Sequence, residues 1–311
     1  MNSYRVLITA RSFGSVSPKP YEILAAEGCE VVSNPYDRPL KAGELATIIR
    51  DVDAVIVGRD VVDAAAIEAA NRLKVICMHG VGLDAIDVEA ARRKGIVVTN
   101  LPGGNSDSVA ELAIGMMFCL ARRILAADKC TREGGWGRFI GTELAGKTLG
   151  LVGLGHIGRA VAVRARALRM SVIAYDVERD DDFARMNSIT YATLDEVLVQ
   201  SDFVSLHVPL MESTRHIIDD EAISKMKSSA YLINTSRGGI VDEAALYEAL
   251  KSGRLAGAAL DVYEIEPPAP DTPLFTLDNC VCTPHIGART VESVLRNNLE
   301  AVRKVLEVLK G

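Results

Sequence analysis

Thr148-Leu-Gly-Leu-Val-Gly-Leu-Gly-His-Ile-Gly158 carries a strand-like apolar run directly into three glycines spaced Gly-x-Gly-x-x-Gly. An Ala-, Val- and Arg-rich stretch typical of a helix follows from Arg159. A strand, this glycine spacing and a helix together form a dinucleotide-binding fingerprint. Gly153 allows the tight turn, Gly155 lets backbone N–H groups approach a pyrophosphate, and Gly158 lets the helix pack close against the sheet.

An acidic residue follows the next apolar stretch, Ser171-Val-Ile-Ala-Tyr175. Asp176 stands at the position where a carboxylate accepts hydrogen bonds from the adenosine ribose and repels a 2′-phosphate. The sequence therefore predicts NAD rather than NADP as the cofactor.

Composition excludes several other classes of protein. A chain of 311 residues suggests two domains, and a net charge of −6 gives no basic surface for nucleic acid. The longest apolar run, residues 112–121, is too short to cross a bilayer. Because the polar N-terminus Met1-Asn-Ser-Tyr-Arg5 lacks a secretory signal pattern, we expect a cytoplasmic location.

The six cysteines lie in apolar segments and include no C-x-x-C pair. We therefore expect reduced core residues and neither a disulfide framework nor a metal site. Cys280 and Cys282 alternate with Val281 in a strand pattern, from which we expect at most one of the two on any given side.

Strand and helix patterns alternate in two successive rounds, which predicts an α/β protein with two doubly wound parallel sheets. The first-round strands are predicted at residues 6–9, 29–33, 54–57, 74–78 and 96–99, with helices at 63–71 and 88–94. The second-round strands are predicted near residues 149 and 172 and at 203–207, 231–234, 256–260 and 281–283. Thr193-x-x-Glu196 predicts a capping box, and Asp242 predicts the start of another helix.

Two breaks in the pattern predict where the domains meet. Leu101-Pro-Gly-Gly104 precedes a predicted helix at 105–128, in which Ser108 and Glu111 are spaced as a capping box. Thr283-Pro-His-Ile-Gly287 precedes an amphipathic helix. Its apolar positions are Val291, Leu295, Val302 and Leu306. We therefore expect residues 1–100 and 284–311 to form one domain and residues 101–283 the other, with an interdomain cleft between them.

Three side chains suited to chemistry follow second-round strands. These are Arg237, Glu266 and His285. Ligands of open α/β sheets bind beyond the carboxyl ends of the strands, so the three groups are candidates for one site.

Several blocks of sequence, in order, resemble those of a known enzyme family. They are His79-Gly-Val-Gly-Leu-Asp84, Asn100-Leu-Pro-Gly-Gly-Asn-Ser106, Val109-Ala-Glu111, the glycine fingerprint, Asn234-Thr-Ser-Arg-Gly-Gly239, Ala259-Leu-Asp-Val-Tyr-Glu264, Glu266-Pro267 and Thr283-Pro-His-Ile-Gly287. With them the chain resembles the D-isomer-specific 2-hydroxyacid dehydrogenases over nearly its whole length, and among these most the D-3-phosphoglycerate dehydrogenases. The resemblance implies a Rossmann NAD-binding domain at 101–283 and a flavodoxin-like substrate domain made of 1–100 and 284–311.

The resemblance also implies a reaction, in which hydride passes between nicotinamide C4 and C2 of a 2-hydroxy or 2-oxo acid. Arg237 would hold the substrate carboxylate and 2-oxo oxygen, which a planar fork of donors suits well. His285 would donate a proton during reduction and take it back during oxidation. Glu266 would hydrogen-bond the imidazole and fix its tautomer.

Binding residues are implied in the same way. Cofactor contacts would fall on Gly153, Gly155, His156, Ile157, Gly158, Asp176, Val208, Thr235, Ser236, Asp261 and Gly287. The backbone of Gly80, Val81 and Gly82 would bind the carboxylate end of the substrate. We assign no chemical role to the other histidines, which are His79, His207 and His216.

The sequence is compatible with more than one substrate. Phosphoglycerate dehydrogenases often carry an arginine just before the substrate loop, where this chain has Met78, and the candidates for a phosphate partner are Arg59 and Arg138. The alternatives are a glyoxylate or hydroxypyruvate reductase and, from another class, an NAD(H)-sensing binding protein. Glu266 argues against the related formate dehydrogenases, which use glutamine beside the histidine.

Two further expectations concern assembly and regulation. A homodimer is expected from the family's precedent and from the large apolar groups of Trp136-Gly-Arg-Phe139 in a polar loop. Because the chain stops at Gly311, we expect no additional regulatory domain.

Overall fold

The structure is a computed structural model that describes residues 3–36, 38–41 and 43–311. Met1 and Asn2, the first residues of the polar N-terminus, lie outside the described residues. The chain divides into two compact units. Unit 1 consists of Met1–Asn105 and Arg289–Gly311, and unit 2 of Ser106–Ala288.

Unit 1 contains a five-stranded, wholly parallel sheet. Its strands are β1 (Tyr4–Ile8), β2 (Cys29–Ser33), β3 (Ala54–Val57), β4 (Val75–Met78) and β5 (Val97–Thr99). They lie in the order β2-β1-β3-β4-β5, which is the flavodoxin-like order. The chain changes direction across the sheet between β1 and β3, so a ligand site is expected beyond the carboxyl ends of these two strands.

Helices cover both faces of this sheet. They are α1 (Lys19–Ala26), α2 (Glu44–Ile48), α3 (Ala64–Ala69), α4 (Val88–Arg93) and α12 (Val291–Lys310), the last numbered in chain order. Helices α2, α3 and α4 pack in one apolar cluster, and α1 and α12 pack in the other. The central strands β3 and β4 are buried along their whole length, as expected for a sheet covered on two sides.

Unit 2 contains a seven-stranded parallel sheet. Its strands are β6 (Thr148–Val152), β7 (Ser171–Tyr175), β8 (Ile189–Tyr191), β9 (Phe203–Leu206), β10 (Tyr231–Asn234), β11 (Gly257–Leu260) and β12 (Cys280–Cys282). The order is β12-β11-β10-β9-β6-β7-β8, the Rossmann order with one added edge strand. The direction of winding reverses between β6 and β9. The predicted α/β class with two doubly wound parallel sheets is confirmed.

The helices of unit 2 form a layer on each face of the sheet. They are α5 (Ser106–Arg122), α6 (Ile124–Arg132), α7 (His156–Ala167), α8 (Asp181–Met186), α9 (Leu194–Gln200), α10 (Asp220–Lys225) and α11 (Glu243–Ser252). Helices α5, α7 and α8 contribute to one apolar cluster, and α9, α10 and α11 contribute to the other. The capping box of Thr193 and Glu196 is present, and Asp242 caps α11 by accepting from two backbone amides.

The predicted helix at 105–128 is wrong in two respects. It is two helices, because Arg123 adopts a left-handed conformation (φ 52°) that ends α5 and begins α6. Ser108 does not cap α5, since it lies inside the helix, where its hydroxyl donates to the Gly287 carbonyl at 2.6 Å. Glu111 instead pairs with Arg164 at 3.3 Å.

The predicted apolar face of α12 is only partly correct. Val302 is buried, but Val291 is 63% exposed. The buried face runs instead through Val294, Ala301, Val305 and Leu309 and includes the amide of Asn298.

The expectation that Cys280 and Cys282 lie on different sides is also wrong. Alternate residues of a strand point to the same face. Their sulfur atoms lie 3.7 Å apart.

Candidate active site

The glycine fingerprint forms the turn from β6 into α7. Gly153 has φ +100°, and a Cβ there would lie 2.7 Å from the His207 carbonyl carbon, so only glycine fits this turn. A Cβ on Gly158 would lie 2.2 Å from the Gly153 carbonyl oxygen. Gly155, by contrast, faces open space, with no atom within 4 Å of a Cβ built on it. The loop is thus closed toward the protein and open where a phosphate would approach.

The N-terminus of α7 is available to an anion. Gly155 is its N-cap residue and has no side chain that could accept from the first amides. Other helices of unit 2 are capped by a side-chain oxygen, as α11 is by Asp242 and α9 by Thr193. Uncapped amides and the positive end of the helix dipole favour a phosphate at this position. His156 and Ile157 are the first two residues of the helix.

Asp176 lies directly after β7 and is hydrogen-bonded to the fingerprint loop. Its Oδ2 accepts from the Leu154 amide at 2.6 Å, and its Oδ1 accepts from the Glu178 amide at 2.9 Å. A carboxylate offers about four acceptor positions, so two remain for the hydroxyl groups of a ribose. The local geometry therefore fits the predicted cofactor role.

Other predicted cofactor residues follow β9 and β10. Val208 is half-buried in the segment after β9, and a Cβ on Gly153 would lie 3.0 Å from its Cγ1. Thr235 is buried, and its Oγ1 lacks a hydrogen-bond partner among the residues that the structure describes. Such an orphaned hydroxyl fits a site that a polar ligand completes. Ser236 donates instead to the Asn234 side chain at 2.8 Å.

His285 and Glu266 form a hydrogen-bonded pair. His285 Nδ1 lies 2.7 Å from Glu266 Oε2, with side chains 32% and 23% exposed. Glu266 Oε1 accepts from the Tyr263 amide at 3.2 Å, which restrains the carboxylate. Because Nδ1 donates to this carboxylate, Nε2 is the ring nitrogen left to exchange a proton with another molecule.

His285 has an unusual backbone conformation. Its φ is +54°, in the left-handed region that is uncommon for residues other than glycine. Strain of this kind persists where the surroundings hold it and is frequent at functional sites.

The buried carboxylate of Asp261 holds the loop that carries His285. Its Oδ1 accepts from the Thr283 hydroxyl at 2.5 Å and the Ile286 amide at 2.8 Å, and its Oδ2 accepts from the Gly287 amide at 2.8 Å. The Gly287 carbonyl accepts from Ser108. Asp261 and Gly287, predicted as cofactor contacts, thus have a structural role within unit 2.

Arg237 begins the short 3₁₀ turn Gly238–Ile240 after β10. Its guanidinium donates to the Ser236 carbonyl at 2.8 Å, and its own carbonyl accepts from the Asn234 side chain at 2.8 Å. A Cβ on Gly238 would lie 1.8 Å from the Tyr263 carbonyl carbon, so this turn packs directly against the segment that leads to Glu266.

The three catalytic candidates therefore share one region of unit 2. Arg237 follows β10, Glu266 follows β11 and His285 follows β12, and these three parallel strands are neighbours. Their carboxyl ends lie at one edge of the sheet, beside the fingerprint loop that follows β6.

In unit 1, the predicted substrate residues lie beyond the carboxyl ends of β3 and β4. The loop Gly80–Gly82 follows β4, where Asn100 donates to the Val81 carbonyl at 2.6 Å and the Leu101 amide donates to the Gly80 carbonyl at 2.8 Å. Arg59 follows β3 and is exposed. The predicted alternative, Arg138, is exposed in unit 2 after α6.

Sequence reasoning overlooked two features beside this loop. Arg11 follows β1, so it and Arg59 flank the point where the winding of unit 1 reverses. Its position after a strand was the signal that could have identified it. The buried ring of His79 is the other feature.

His79 is fixed from α12. With its amide nitrogen turned toward the ring, Asn298 donates to His79 Nε2 at 2.6 Å and accepts from the Gly14 amide at 3.0 Å. Burial lowers the pKa of His79. A neutral ring that accepts this bond anchors the start of the Gly80–Gly82 loop.

The described ranges contain no group of three or more His, Cys, Asp or Glu side chains arranged to hold a metal ion. No helix within residues 3–36, 38–41 and 43–311 has the length and apolar content needed to cross a bilayer.

Comparison with known proteins connects this geometry to a family. The model of the D-isomer specific 2-hydroxyacid dehydrogenase NAD-binding domain matches residues 114–287. A hydroxypyruvate reductase from Thermotoga maritima is 48% identical over 275 residues, which cover 87% of this chain and 89% of that protein. A D-3-phosphoglycerate dehydrogenase from Archaeoglobus fulgidus is 47% identical over 270 residues, but these cover 85% of this chain and only 51% of that protein.

A solved structure gives the same result. The D-lactate dehydrogenase of Aquifex aeolicus, crystallised with NAD and lactic acid, superposes with a TM-score of 0.88 at 33% identity. The match covers 98% of this chain and 96% of that one. The cofactor is NAD, as the fingerprint and Asp176 predicted, and the protein is an enzyme, as the family resemblance implied. The chain belongs to the NAD-dependent, D-isomer-specific 2-hydroxyacid dehydrogenases.

Proposed function

We propose that the chain interconverts a D-2-hydroxy acid and its 2-oxo acid through Arg237, His285 and Glu266. The observation that carries this proposal is the 2.7 Å contact between His285 Nδ1 and Glu266 Oε2 at the carboxyl edge of the sheet. The bound cofactor supplies or accepts the hydride. The remaining tasks, which are to hold the acid and to move one proton, fall to side chains of the protein.

His285 acts as the proton donor in reduction. Its Nε2 gives a proton to the oxygen on C2 as that oxygen gains negative charge, and it takes the proton back in oxidation. Glu266 stabilises the charged imidazolium and keeps the proton of Nδ1 in place. Arg237 binds the substrate carboxylate through two of its N–H groups, a geometry that a lysine cannot reproduce.

The cofactor binds along the fingerprint loop in this proposal. The N-terminal amides of α7, which no side chain caps, donate to the pyrophosphate, and Asp176 accepts from the ribose hydroxyls. The Thr235 hydroxyl, which has no partner among the described residues, hydrogen-bonds to the cofactor. The proposed substrate domain is unit 1, which differs from the expected 1–100 and 284–311 because residues 101–105 join it and residues 284–288, with His285, lie in unit 2. Its backbone at Gly80–Gly82 binds the carboxylate end.

A Glu266→Gln variant tests the reaction mechanism. Glutamine still accepts a hydrogen bond from Nδ1 but carries no charge, so the imidazolium is less stable. We expect kcat/KM for the 2-oxo acid to fall by about one to two orders of magnitude. Glu243→Gln, on the neighbouring helix, is the control. An unchanged kcat/KM in Glu266→Gln would remove this carboxylate from the mechanism.

For the substrate we propose 3-phosphoglycerate and 3-phosphohydroxypyruvate. Arg59 supports this choice, since it is an exposed cation after β3 in the proposed substrate domain, and a guanidinium suits a phosphate. Arg11, after β1, adds a second positive charge at the same edge.

Reduction of hydroxypyruvate or glyoxylate is the second candidate. Met78, at the end of β4, is buried and apolar where many phosphoglycerate dehydrogenases have arginine. A relative that matches over 89% of its own length is named a hydroxypyruvate reductase. An unphosphorylated substrate would need neither Arg11 nor Arg59.

A panel of 3-phosphohydroxypyruvate, hydroxypyruvate and glyoxylate separates the two candidates. For the phosphorylated substrate, kcat/KM should be the highest, and Arg59→Ala should lower it by about tenfold or more because a charge-assisted contact is lost. The same variant should barely change hydroxypyruvate reduction. Arg50→Ala, an exposed arginine after α2, is the matched control. Equal effects of Arg59→Ala on all three acids would favour the unphosphorylated substrates.

We also propose that the chain forms a homodimer through the segment after α6. Trp136 is 92% exposed and Ile140 is 87% exposed there, and α6 itself has no buried residue in the unit. Exposed apolar groups of this size favour a protein interface. The cytoplasmic location stays a prediction from the sequence.

A further inference from the structure

Two thiols stand side by side on the edge strand of unit 2. Cys280 and Cys282 are alternate residues of β12, and their sulfur atoms are 3.7 Å apart. Both residues are half-buried, as are Cys119 and Cys130, whereas Cys29 and Cys77 are buried. All six cysteines are free, but among the described residues this is the pair in which one thiol contacts another.

The two thiols differ in acidity. A hydrogen bond from the Cys280 thiol lowers the pKa of Cys282, because it stabilises the Cys282 thiolate. The same hydrogen bond and burial raise the pKa of Cys280. A thiolate is the reactive form of cysteine, so Cys282 is the nucleophile and Cys280 is the adjacent thiol.

The pair lies at the base of the loop that carries His285. Cys282 is followed by Thr283, which donates its amide to the Leu260 carbonyl at 2.9 Å and its hydroxyl to Asp261 at 2.5 Å. The Tyr263 hydroxyl donates to the Thr283 carbonyl at 3.1 Å. Any change in the course of β12 therefore reaches the segment that positions His285.

We propose that Cys280 and Cys282 are a peroxide-sensitive dithiol whose oxidation to a disulfide reversibly lowers the activity of the enzyme. The Cys282 thiolate attacks one oxygen of hydrogen peroxide, an S–O bond forms, the O–O bond breaks, and hydroxide leaves and is protonated to water. The Cys280 thiol then attacks the sulfenic sulfur, the S–S bond forms, and a second water leaves with its proton. Two electrons pass from the two sulfurs to the peroxide, and an added dithiol reverses the reaction.

The strand geometry explains why this oxidation would disturb the site. Alternate residues on one face of a strand are about 6.6 Å apart along the strand, whereas the Cβ atoms of a disulfide are only about 3.5–4.5 Å apart. Closing the bond must therefore shorten β12. As an edge strand, β12 pairs only with β11, so it yields more easily than a strand that is paired on both sides. The shortening displaces Thr283 and the loop beyond it.

This inference rests on the proposed role of His285 for its effect on turnover, but not for the chemistry of the thiols. The test therefore has two readouts. The reduced enzyme is treated with hydrogen peroxide, and the peptide that contains residues 280–282 is analysed by mass spectrometry for loss of two hydrogens. NADH oxidation with the best 2-oxo acid is measured on the same samples before and after dithiothreitol.

We expect the disulfide to appear in step with a loss of activity of about tenfold or more, since a misplacement near 1 Å can cost about a hundredfold. Dithiothreitol should restore the activity. Cys280→Ser/Cys282→Ser should keep the activity of the reduced enzyme and resist peroxide, whereas Cys119→Ser/Cys130→Ser should remain as sensitive as the parent. Resistance of the first variant and sensitivity of the second would support the proposal.

Three results would overturn it. These are peroxide treatment that leaves the 280–282 peptide unoxidised, a disulfide without loss of activity, or inactivation that persists in Cys280→Ser/Cys282→Ser. An enzyme that oxidises no NADH with any 2-oxo acid would instead refute the proposed function, and the mass measurement would still decide whether the disulfide forms.

Discussion

Burial of His207 should make the stability of the protein depend strongly on pH. His207 lies directly after β9, its Nε2 is 2.9 Å from the Ser205 hydroxyl, and its Nδ1 lacks a partner among the residues described by the structure. Burial of the ring lowers the pKa of His207 to about 3. The variant His207→Gln tests this, because the glutamine side chain keeps a polar group near Ser205 but does not titrate.

The expected loss of stability follows from the pKa values of His207 in the folded and the unfolded chain. In the unfolded chain a histidine has a pKa of about 6.5. As pH falls from 7 to 5 the unfolded state binds a proton that the folded state does not, so the parent should lose about 2 kcal/mol of stability through this residue. This stability is present above the unfolded pKa and is lost as pH falls toward the folded one. His207→Gln should not show this loss.

Urea unfolding followed by circular dichroism, at pH 7 and pH 5, measures the difference. At pH 7 the variant should be about 1–2 kcal/mol less stable than the parent, because glutamine packs and hydrogen-bonds less well in this site. At pH 5 that gap should close. His156→Gln, which changes an exposed histidine at the start of α7, serves as the control. A gap that stays constant between the two pH values would refute the assignment of a buried neutral imidazole.

Three other predictions follow from single contacts. Asp176→Asn keeps an acceptor for the Leu154 amide but removes the charge that repels a 2′-phosphate, so kcat/KM with NADP should rise by about tenfold relative to NAD; an unchanged ratio would contradict the role of Asp176. Asn298→Ala should cost about 1–3 kcal/mol in urea unfolding and raise KM for the oxo acid, because the buried His79 loses its donor; a fully stable variant would show that this bond is dispensable. Trp136→Ser/Ile140→Ser should sediment as a monomer while the parent sediments as a dimer, and a monomeric parent at micromolar concentration would exclude the proposed interface.

Strongly patterned elements could be predicted from the sequence. Strands β2, β3 and β10 have the predicted bounds, because their apolar runs end at polar or glycine residues. The short edge strand β8 was missed, since three residues carry too little pattern. The break at Arg123 could not be foreseen either, because no glycine or proline marks it and the left-handed residue is an arginine.

The residues of the candidate site, and their positions after strands, could be predicted from the sequence, but the contacts between them could not. The pair of His285 and Glu266 was expected, and its hydrogen bond is present in the structure. The three hydrogen bonds that Asp261 accepts from the 283–287 loop were not expected, because a carboxylate after a strand looks the same whether it faces a ligand or its own backbone. The contact of Cys280 with Cys282 could have been predicted, because alternate residues of a strand point to the same face. The expectation was wrong because it placed them on opposite faces.

In the proposed mechanism, His285 exchanges the proton with the substrate while the fingerprint loop binds the cofactor. The most direct measurement is stopped-flow oxidation of NADH by His285→Ala, with NADH binding followed by fluorescence on the same preparation. We predict an unchanged Kd for NADH and a rate of hydride transfer lower by about 10²- to 10⁴-fold. Transfer at nearly the parental rate, or a loss of NADH binding that accounts for the whole defect, would contradict the assignment.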